Sequence, residues 1–123
     1  MNYLVETVGS TGFSPGSLNI LVGDTVTFVN TGGNHNVNGT TSTFPSNPES
    51  FGNAVSAGWT FQHVFQTPGS YDYQCDPHAM MAMVGVIQVG EAVNMEEVSK
   101  KAETFKTNFM LNSERLSGYL AQL

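Results

Sequence analysis

Tyr71-Asp72-Tyr73-Gln74-Cys75-Asp76-Pro77-His78-Ala79-Met80-Met81-Ala82-Met83-Val84-Gly85-Val86-Ile87-Gln88-Val89 is the stretch whose reading decides the fold. Two strand-forming runs flank a loop. Tyr71, Tyr73 and Cys75 alternate and so share one face of the first strand. Val84 to Val89 is bulky and β-branched and reads as the last strand of a sheet. Between them lie a thiolate, an imidazole and a thioether: Cys75, His78 and Met83, at positions i, i+3 and i+8. A further histidine, His35, stands at a strand end forty residues before Cys75. Each residue type has an ordinary use alone, since a cysteine is a small buried hydrophobe and methionines fill cores. Their conjunction is different, because the only cysteine of the chain is followed by Pro-His and then by Met. Thiolate and thioether suit Cu(I), and imidazole suits both oxidation states. A trigonal His₂Cys plane with a weak axial Met is the donor set of a mononuclear electron-transfer copper site. The candidate ligands are His35, Cys75, His78 and Met83.

Working outward, 123 residues with 40% hydrophobic content suffice for one domain with its own core. One cysteine rules out an internal disulfide framework, so the thiol needs another explanation. No run of apolar residues is long enough for a transmembrane helix. The start, Met1-Asn2-Tyr3-Leu4-Val5-Glu6, lacks a basic segment followed by an apolar one. The formal net charge is −6, and all four basic residues (Lys100, Lys101, Lys106, Arg115) come after residue 90. Residues 1–90 carry Glu6, Asp24, Glu49, Asp72 and Asp76 and no Lys or Arg. Such a chain cannot neutralise phosphates, so nucleic acid is not an expected partner. An anionic membrane surface is disfavoured in the same way.

Strand signals recur at short intervals. Leu18, Ile20 and Val22 alternate before the Gly23-Asp24 turn, Val26 and Phe28 follow, and Phe61 to Phe65 is a strand ended by Pro68-Gly69. This pattern predicts an all-β sandwich or barrel of seven or eight strands. Residues 39–58 are rich in Thr, Ser, Asn, Gly and Pro and read as a long crossover, interrupted by a helical turn or an irregular strand. After Gly90 the period changes. Val98, Ala102, Phe105 and Phe109 recur at helical spacing behind Asn94 as N-cap, and Ser113 can cap a second helix with Leu116, Tyr119, Leu120 and Leu123. Met95 to Leu123 can also be written as about four heptads, so a coiled-coil dimer is the rival reading, weakened by Gly118 and the Asn112-Ser113 break. The preferred expectation is one domain: a β-sandwich over residues 1–90 and a helical extension over 91–123, two α-helices packed back on the barrel.

These motifs carry a family resemblance. Tyr71 to His78 followed by Met83-Val84-Gly85-Val86-Ile87-Gln88-Val89-Gly90 resembles the C-terminal copper loop of the cupredoxins. Gly23 to Asn30 followed by His35-Asn36-Val37 resembles their upstream ligand region. Met81-Ala82-Met83 and the two C-terminal helices, with Ser113-Glu114-Arg115-Leu116, are similar to the pseudoazurins rather than to plastocyanin. The resemblance implies a Greek-key sandwich, one type 1 copper ion and a one-electron carrier that is not an enzyme. It also implies a monomeric mature chain, exported to a periplasm or its equivalent. It has the Asn36 amide donating to the Cys75 sulfur and the Asn36 side chain tying the two ligand loops together. Pro77 has no N–H, so a second backbone donor to that sulfur is expected to be absent. Asp76 stands where an uncharged residue is more usual, and its charge would favour Cu(II).

Electrons are expected to leave through His78. Pro77, Ala79 and Met80, joined by Pro15 and Gly16, should form an apolar patch on which redox partner proteins dock. The lysines that typically ring this patch in pseudoazurins are missing, so a partner with a basic or apolar face is expected. Trp59 is given only a structural role, and His63 lies mid-strand, away from the ligand motif. Two other readings stay open at this level: a copper-delivery protein, for which a Met-rich loop is suited, and a cupredoxin that reacts with a small molecule such as nitric oxide. Three histidines, one of them outside the motif, cannot build a multicopper centre within one chain.

Overall fold

A computed structural model of the chain describes residues 1–91 and 94–123. Seven strands are formed among the described residues: β1 (Asn2–Val8), β2 (Gly12–Ser14), β3 (Ser17–Ile20), β4 (Thr25–Val29), β5 (Thr60–Val64), β6 (Gly69–Gln74) and β7 (Val84–Val89). They make two sheets, one in the order β2-β1-β4-β5 and one in the order β3-β7-β6. β1 pairs parallel with β4, setting Val5 opposite Phe28, and β3 pairs parallel with β7. The β4–β5 and β6–β7 pairs are antiparallel. The inward residues of both sheets interdigitate in one core of Val5, Phe13, Val26, Phe28, Phe65, Tyr71, Tyr73 and Ile87. Tyr71, Tyr73 and Cys75 share this face, as their alternation predicts.

β7 is buried at every position. One face meets the sandwich core, and the other, through Val84 and Val86, meets the helices. A strand covered on both faces loses its hydrophobic alternation, which is why Val84–Val89 reads as continuously apolar. Helix α1 (Met95–Lys106) presents Val98 and Ala102, with Phe105 alongside, and helix α2 (Arg115–Ala121) presents Leu116. Burying each such aliphatic side chain is worth about 1.5–3 kcal/mol. That gain is taken within one chain, and the apolar faces a coiled-coil dimer would need are already used. The break between the helices is real: Asn112 adopts a left-handed φ of 55°.

Several boundaries differ from the sequence pattern. β3 ends at Ile20, and Leu21 and Val22 are exposed. Asp24 turns the chain here by accepting the Leu21 amide at 3.0 Å. The second helix is preceded by Glu114 rather than capped by Ser113. Asn94 sits at the start of α1 but does not cap it. Its Oδ1 instead accepts the Ser70 amide, and its Nδ2 donates to the Ser46 and Ser70 carbonyls, stitching the helix to β6.

The segment 39–58 crosses one end of the sandwich without forming a regular strand. It is held by bridges from Asn38 to Gly52 and Gln74 and from His35 to Ser56, and by one turn in which the Phe44 amide donates to the Thr40 carbonyl. Phe51 plugs it into the core against Phe28, Phe65, Tyr71 and Tyr73. Glu49 fastens the other side, bonded to His63 at 2.7 Å and to the Gln66 and Thr67 amides. His63 thus has a structural partner away from the ligand motif.

Candidate metal centre

Three segments meet at this end of the sandwich. The loop after β4 carries His35. Cys75 directly follows β6, and a 3₁₀ turn over Asp76–Met81 carries His78. Met83 directly precedes β7. Pro77 is the second residue of the turn, where no amide hydrogen is needed. The turn closes through the His78 amide on the Cys75 carbonyl (3.1 Å) and ends at Ala82, a non-glycine residue in the left-handed region (φ 58°). The Cys75 amide then donates to the Met83 carbonyl at 2.9 Å, so both ends of the nine-residue motif are joined where the strands begin to pair.

His35, Cys75 and His78 converge, each offering a ligand atom within 4.8 Å of the others. Cys75 Sγ lies 3.5 Å from His35 Nδ1 and 3.4 Å from His78 Nδ1. Donors about 3.5 Å apart can all reach one ion at the about 2.0–2.3 Å typical of nitrogen and thiolate ligands to a borderline cation. The residues therefore fit a single ion bound through two Nδ1 atoms and one sulfur. Cys75 and Met83 are fully buried, His35 nearly so, and His78 half-buried.

The histidine loop is positioned by residues the sequence pattern does not single out. Asn30 Oδ1 accepts from Thr7 Oγ1 and the Gly32 amide, while its Nδ2 donates to the Gly33 and Ser56 carbonyls. Trp59 Nε1 donates to the His35 carbonyl at 2.8 Å, so the indole braces the ligand loop. Gly33 has φ +80°, and a Cβ there would stand 3.1 Å from His35 Nε2. Both its conformation and the nearness of the ring call for glycine. Burial and the neighbouring His78 keep the His35 pKa below its ordinary value, with a backbone hydrogen bond at Gly32 working the other way. The imidazole is thus neutral and ready to donate a lone pair.

Around the sulfur, burial pushes the Cys75 thiol up, the backbone amides of Asn36 and His78 pull it back, and the Asp76 charge adds to the rise. The Asn36 amide is the donor that the resemblance implies. The amide of His78, which closes the turn on the Cys75 carbonyl, lies near enough to favour the thiolate as well. Asn36 also ties the ligand loops together: its Oδ1 accepts the Asp76 amide at 2.8 Å and its Nδ2 donates to Asp76 Oδ2 at 3.0 Å. Asp76 Oδ1 accepts from Asn38 Nδ2 and Gln74 Nε2 at 2.8 and 2.9 Å. Burial raises the Asp76 pKa, but the three amides outweigh it and hold the carboxyl below its ordinary value. Asp76 is therefore a fixed negative charge one residue from the sulfur.

His78 borders a groove of about 290 Å³ lined by Pro77, Met80, Met81, Met110 and Leu111. Met80 and Leu111 are more than half exposed, and Met110 is 76% exposed. Ala79 is half-buried in the same turn. Pro15 and Gly16 are not part of this lining. Gly16 lies under the Tyr119 ring of α2, where a Cβ would fall 2.1 Å from the ring. The helix connector supplies the second wall instead.

A two-sheet sandwich that gathers two imidazole nitrogens and one thiolate at one end, beside a buried methionine, has the architecture of a cupredoxin. The copper binding proteins of the plastocyanin/azurin family match residues 4–90, and the chain belongs to that family. It is 33% identical to a pseudoazurin of Paracoccus pantotrophus over 115 residues, covering 94% of this chain and 75% of that protein. It is 39% identical to a putative pseudoazurin of Rhizobium leguminosarum bv. viciae over 93 residues, covering 75% and 60%. The crystal structure of native pseudoazurin from Hyphomicrobium denitrificans superposes with a TM-score of 0.80 at 26% identity, covering 100% of this chain and 98% of that one. Within the family the chain is thus similar to the pseudoazurins, and it is a type 1 copper electron carrier.

Proposed function

We propose that His35 Nδ1, Cys75 Sγ and His78 Nδ1 hold one copper ion in a trigonal plane, that Met83 adds a weak axial thioether, and that the protein passes single electrons between redox proteins docking beside His78. The observation that carries the ligand assignment is the pair of Nδ1 atoms 3.4–3.5 Å from Cys75 Sγ. The copper supplies a one-electron Cu(II)/Cu(I) couple. The chain supplies everything else. Two packed sheets hold the ligands so that little has to move between oxidation states. Cys75 gives up its proton on binding, and the amides of Asn36 and His78 then donate to the thiolate. Burial of Met83 and His35 would keep water away from that side of the ion.

The exit is the half-buried His78 ring and the groove beside it. Pro77, Ala79, Met80, Met81, Met110 and Leu111 make a surface of adaptable apolar side chains, suited to brief contact. The protein works as a monomer, residues 91–123 belong to the same domain as 1–90, and the site of action is the periplasm or an equivalent exported compartment. Residues 92–93 of the extension lie outside the described residues. Among the described residues no helix is long and apolar enough to cross a membrane.

Substitution tests the ligand set residue by residue. Cys75→Ser should abolish the intense thiolate-to-copper absorption of the Cu(II) protein. His35→Ala and His78→Ala should each shift or bleach it, and Met83→Leu should keep it while changing the balance between its bands. Retention of the wild-type spectrum in Cys75→Ser or His35→Ala would overturn the assignment.

A further inference from the structure

Three consecutive carbonyls at the end of the metal loop, those of Met80, Met81 and Ala82, accept hydrogen bonds from the connector between the helices and from the first residue of α2. The Met110 amide donates to Met80 O, Asn112 Nδ2 donates to Met81 O at 3.2 Å, and Arg115 Nη1 donates to Ala82 O at 3.1 Å. The same Arg115 nitrogen donates to Thr11 O at 2.6 Å, in the turn between β1 and β2. Ala82, the last residue before Met83, holds a left-handed conformation that a non-glycine residue keeps only where its surroundings over-determine it. The Lys106–Glu114 ion pair at 2.7 Å closes the connector itself.

We infer that Arg115 is a positioning residue for the metal centre: by fastening the Ala82 carbonyl to the β1–β2 turn, with Asn112 supporting Met81, it sets how closely the Met83 thioether approaches the copper. This goes beyond a covering role for the C-terminal helices, and it rests on the proposed ligand role of Met83. The ligands His35, Cys75 and His78 have their own ties, through Ser56, Trp59, Asn36 and the 3₁₀ turn. The Met83 side of the loop is held by its own hydrogen bonds to Cys75 and His78 and by this clasp from the connector. Loosening the clasp therefore acts first on the axial bond. A weaker axial thioether leaves Cu(II) less stabilised, so the reduction potential should rise along with the spectral change.

The test compares copper-loaded wild type with Arg115→Ala, Arg115→Lys, Asn112→Gly and Met83→Leu. The readouts are the ratio of the shorter-wavelength thiolate band to the main visible band, the reduction potential, and the circular dichroism of the metal-free protein. The ratio should fall in Arg115→Ala and, by a smaller amount, in Asn112→Gly, where glycine keeps the φ of 55°. Arg115→Lys should recover part of the wild-type ratio, because a single terminal nitrogen makes both of the arginine's bonds. Met83→Leu separates the two ideas. An unchanged ratio in that variant sinks the axial role of Met83. A changed ratio there, with wild-type ratios and potentials in the arginine and asparagine variants, overturns the positioning role. If Arg115→Ala does not fold, Arg115→Lys and Asn112→Gly carry the decision on the same terms.

Discussion

At the residue scale, an exposed carboxylate ringed by amides and a buried one without them show how hydrogen bonding and burial lead to opposite outcomes. Asp76 accepts three side-chain amides and stays ionised, so its charge is a permanent feature beside Cys75. Asp76→Asn removes that charge, and the reduction potential measured by voltammetry should rise; an unchanged or lower potential would contradict the electrostatic role. Asp72 is 2% exposed, and its Oδ1 has no hydrogen-bond partner among the described residues. Burial alone pushes its pKa up to about 7 from an ordinary 3.8. The folded state therefore keeps a proton that the unfolded chain has already lost, and stability falls as pH rises from about 4 to 7 on this account. Asp72→Asn should flatten that component, so its advantage in Tm over wild type should grow across the same interval. A constant difference between pH 4 and 7.5 would show that the fold does not raise the Asp72 pKa above its ordinary value. The convergence of His35, Cys75 and His78 was legible, because Cys75 and His78 are close in the chain and His35 follows a strand. Gly33, Asn38, Gln74 and Trp59 were not, since what they do depends on which loop folds onto which.

At the scale of elements, the C-terminal helices do what their periodicity indicates, and more. Ala102 and Leu116 meet Val84 and Val86, giving β7 a second buried face. Removing Leu116 by substitution with Ala should cost about 2–5 kcal/mol of unfolding free energy, the range for a deleted core leucine. Denaturant unfolding of the copper protein checks this, and a loss under 1 kcal/mol would mean that α2 is loosely seated. The apolar spacing in 95–123 could be read from sequence, but a coiled coil and a fold-back use the same spacing. Only the left-handed Asn112 and the open face of β7 separate them. The connector's role at the metal loop was beyond reach, because Met110, Asn112 and Arg115 meet Met80, Met81 and Ala82 across about thirty residues of intervening chain. For the same reason the groove beside His78 is lined by Met110 and Leu111 and not by Pro15 and Gly16. Strand ends shifted where side chains, such as Asp24 at Leu21, form turns stronger than the apolar pattern.

At the scale of the molecule, the acidic balance is less of a field than the net charge of −6 suggests. Of the five acidic residues in 1–90, Asp24 pairs with the N-terminal ammonium and Asp72 is buried and resists ionisation, while Glu6, Glu49 and Asp76 keep their charges. The groove beside His78 is lined by apolar side chains apart from the imidazole. Apolar contact should therefore govern docking. The association rate with a redox partner should change far less across a salt series than the at least tenfold loss that strong steering gives. A steep fall would show that charge guides the encounter after all. The central claim, a one-electron copper carrier built on His35, Cys75, His78 and Met83, is tested most directly by titrating the reduced, metal-free protein with Cu(II) under visible absorption and then adding ascorbate. An intense thiolate-to-copper band should appear, saturate at one equivalent, disappear with ascorbate and return on reoxidation. A folded protein that binds no copper, or binds it without that band, would contradict it.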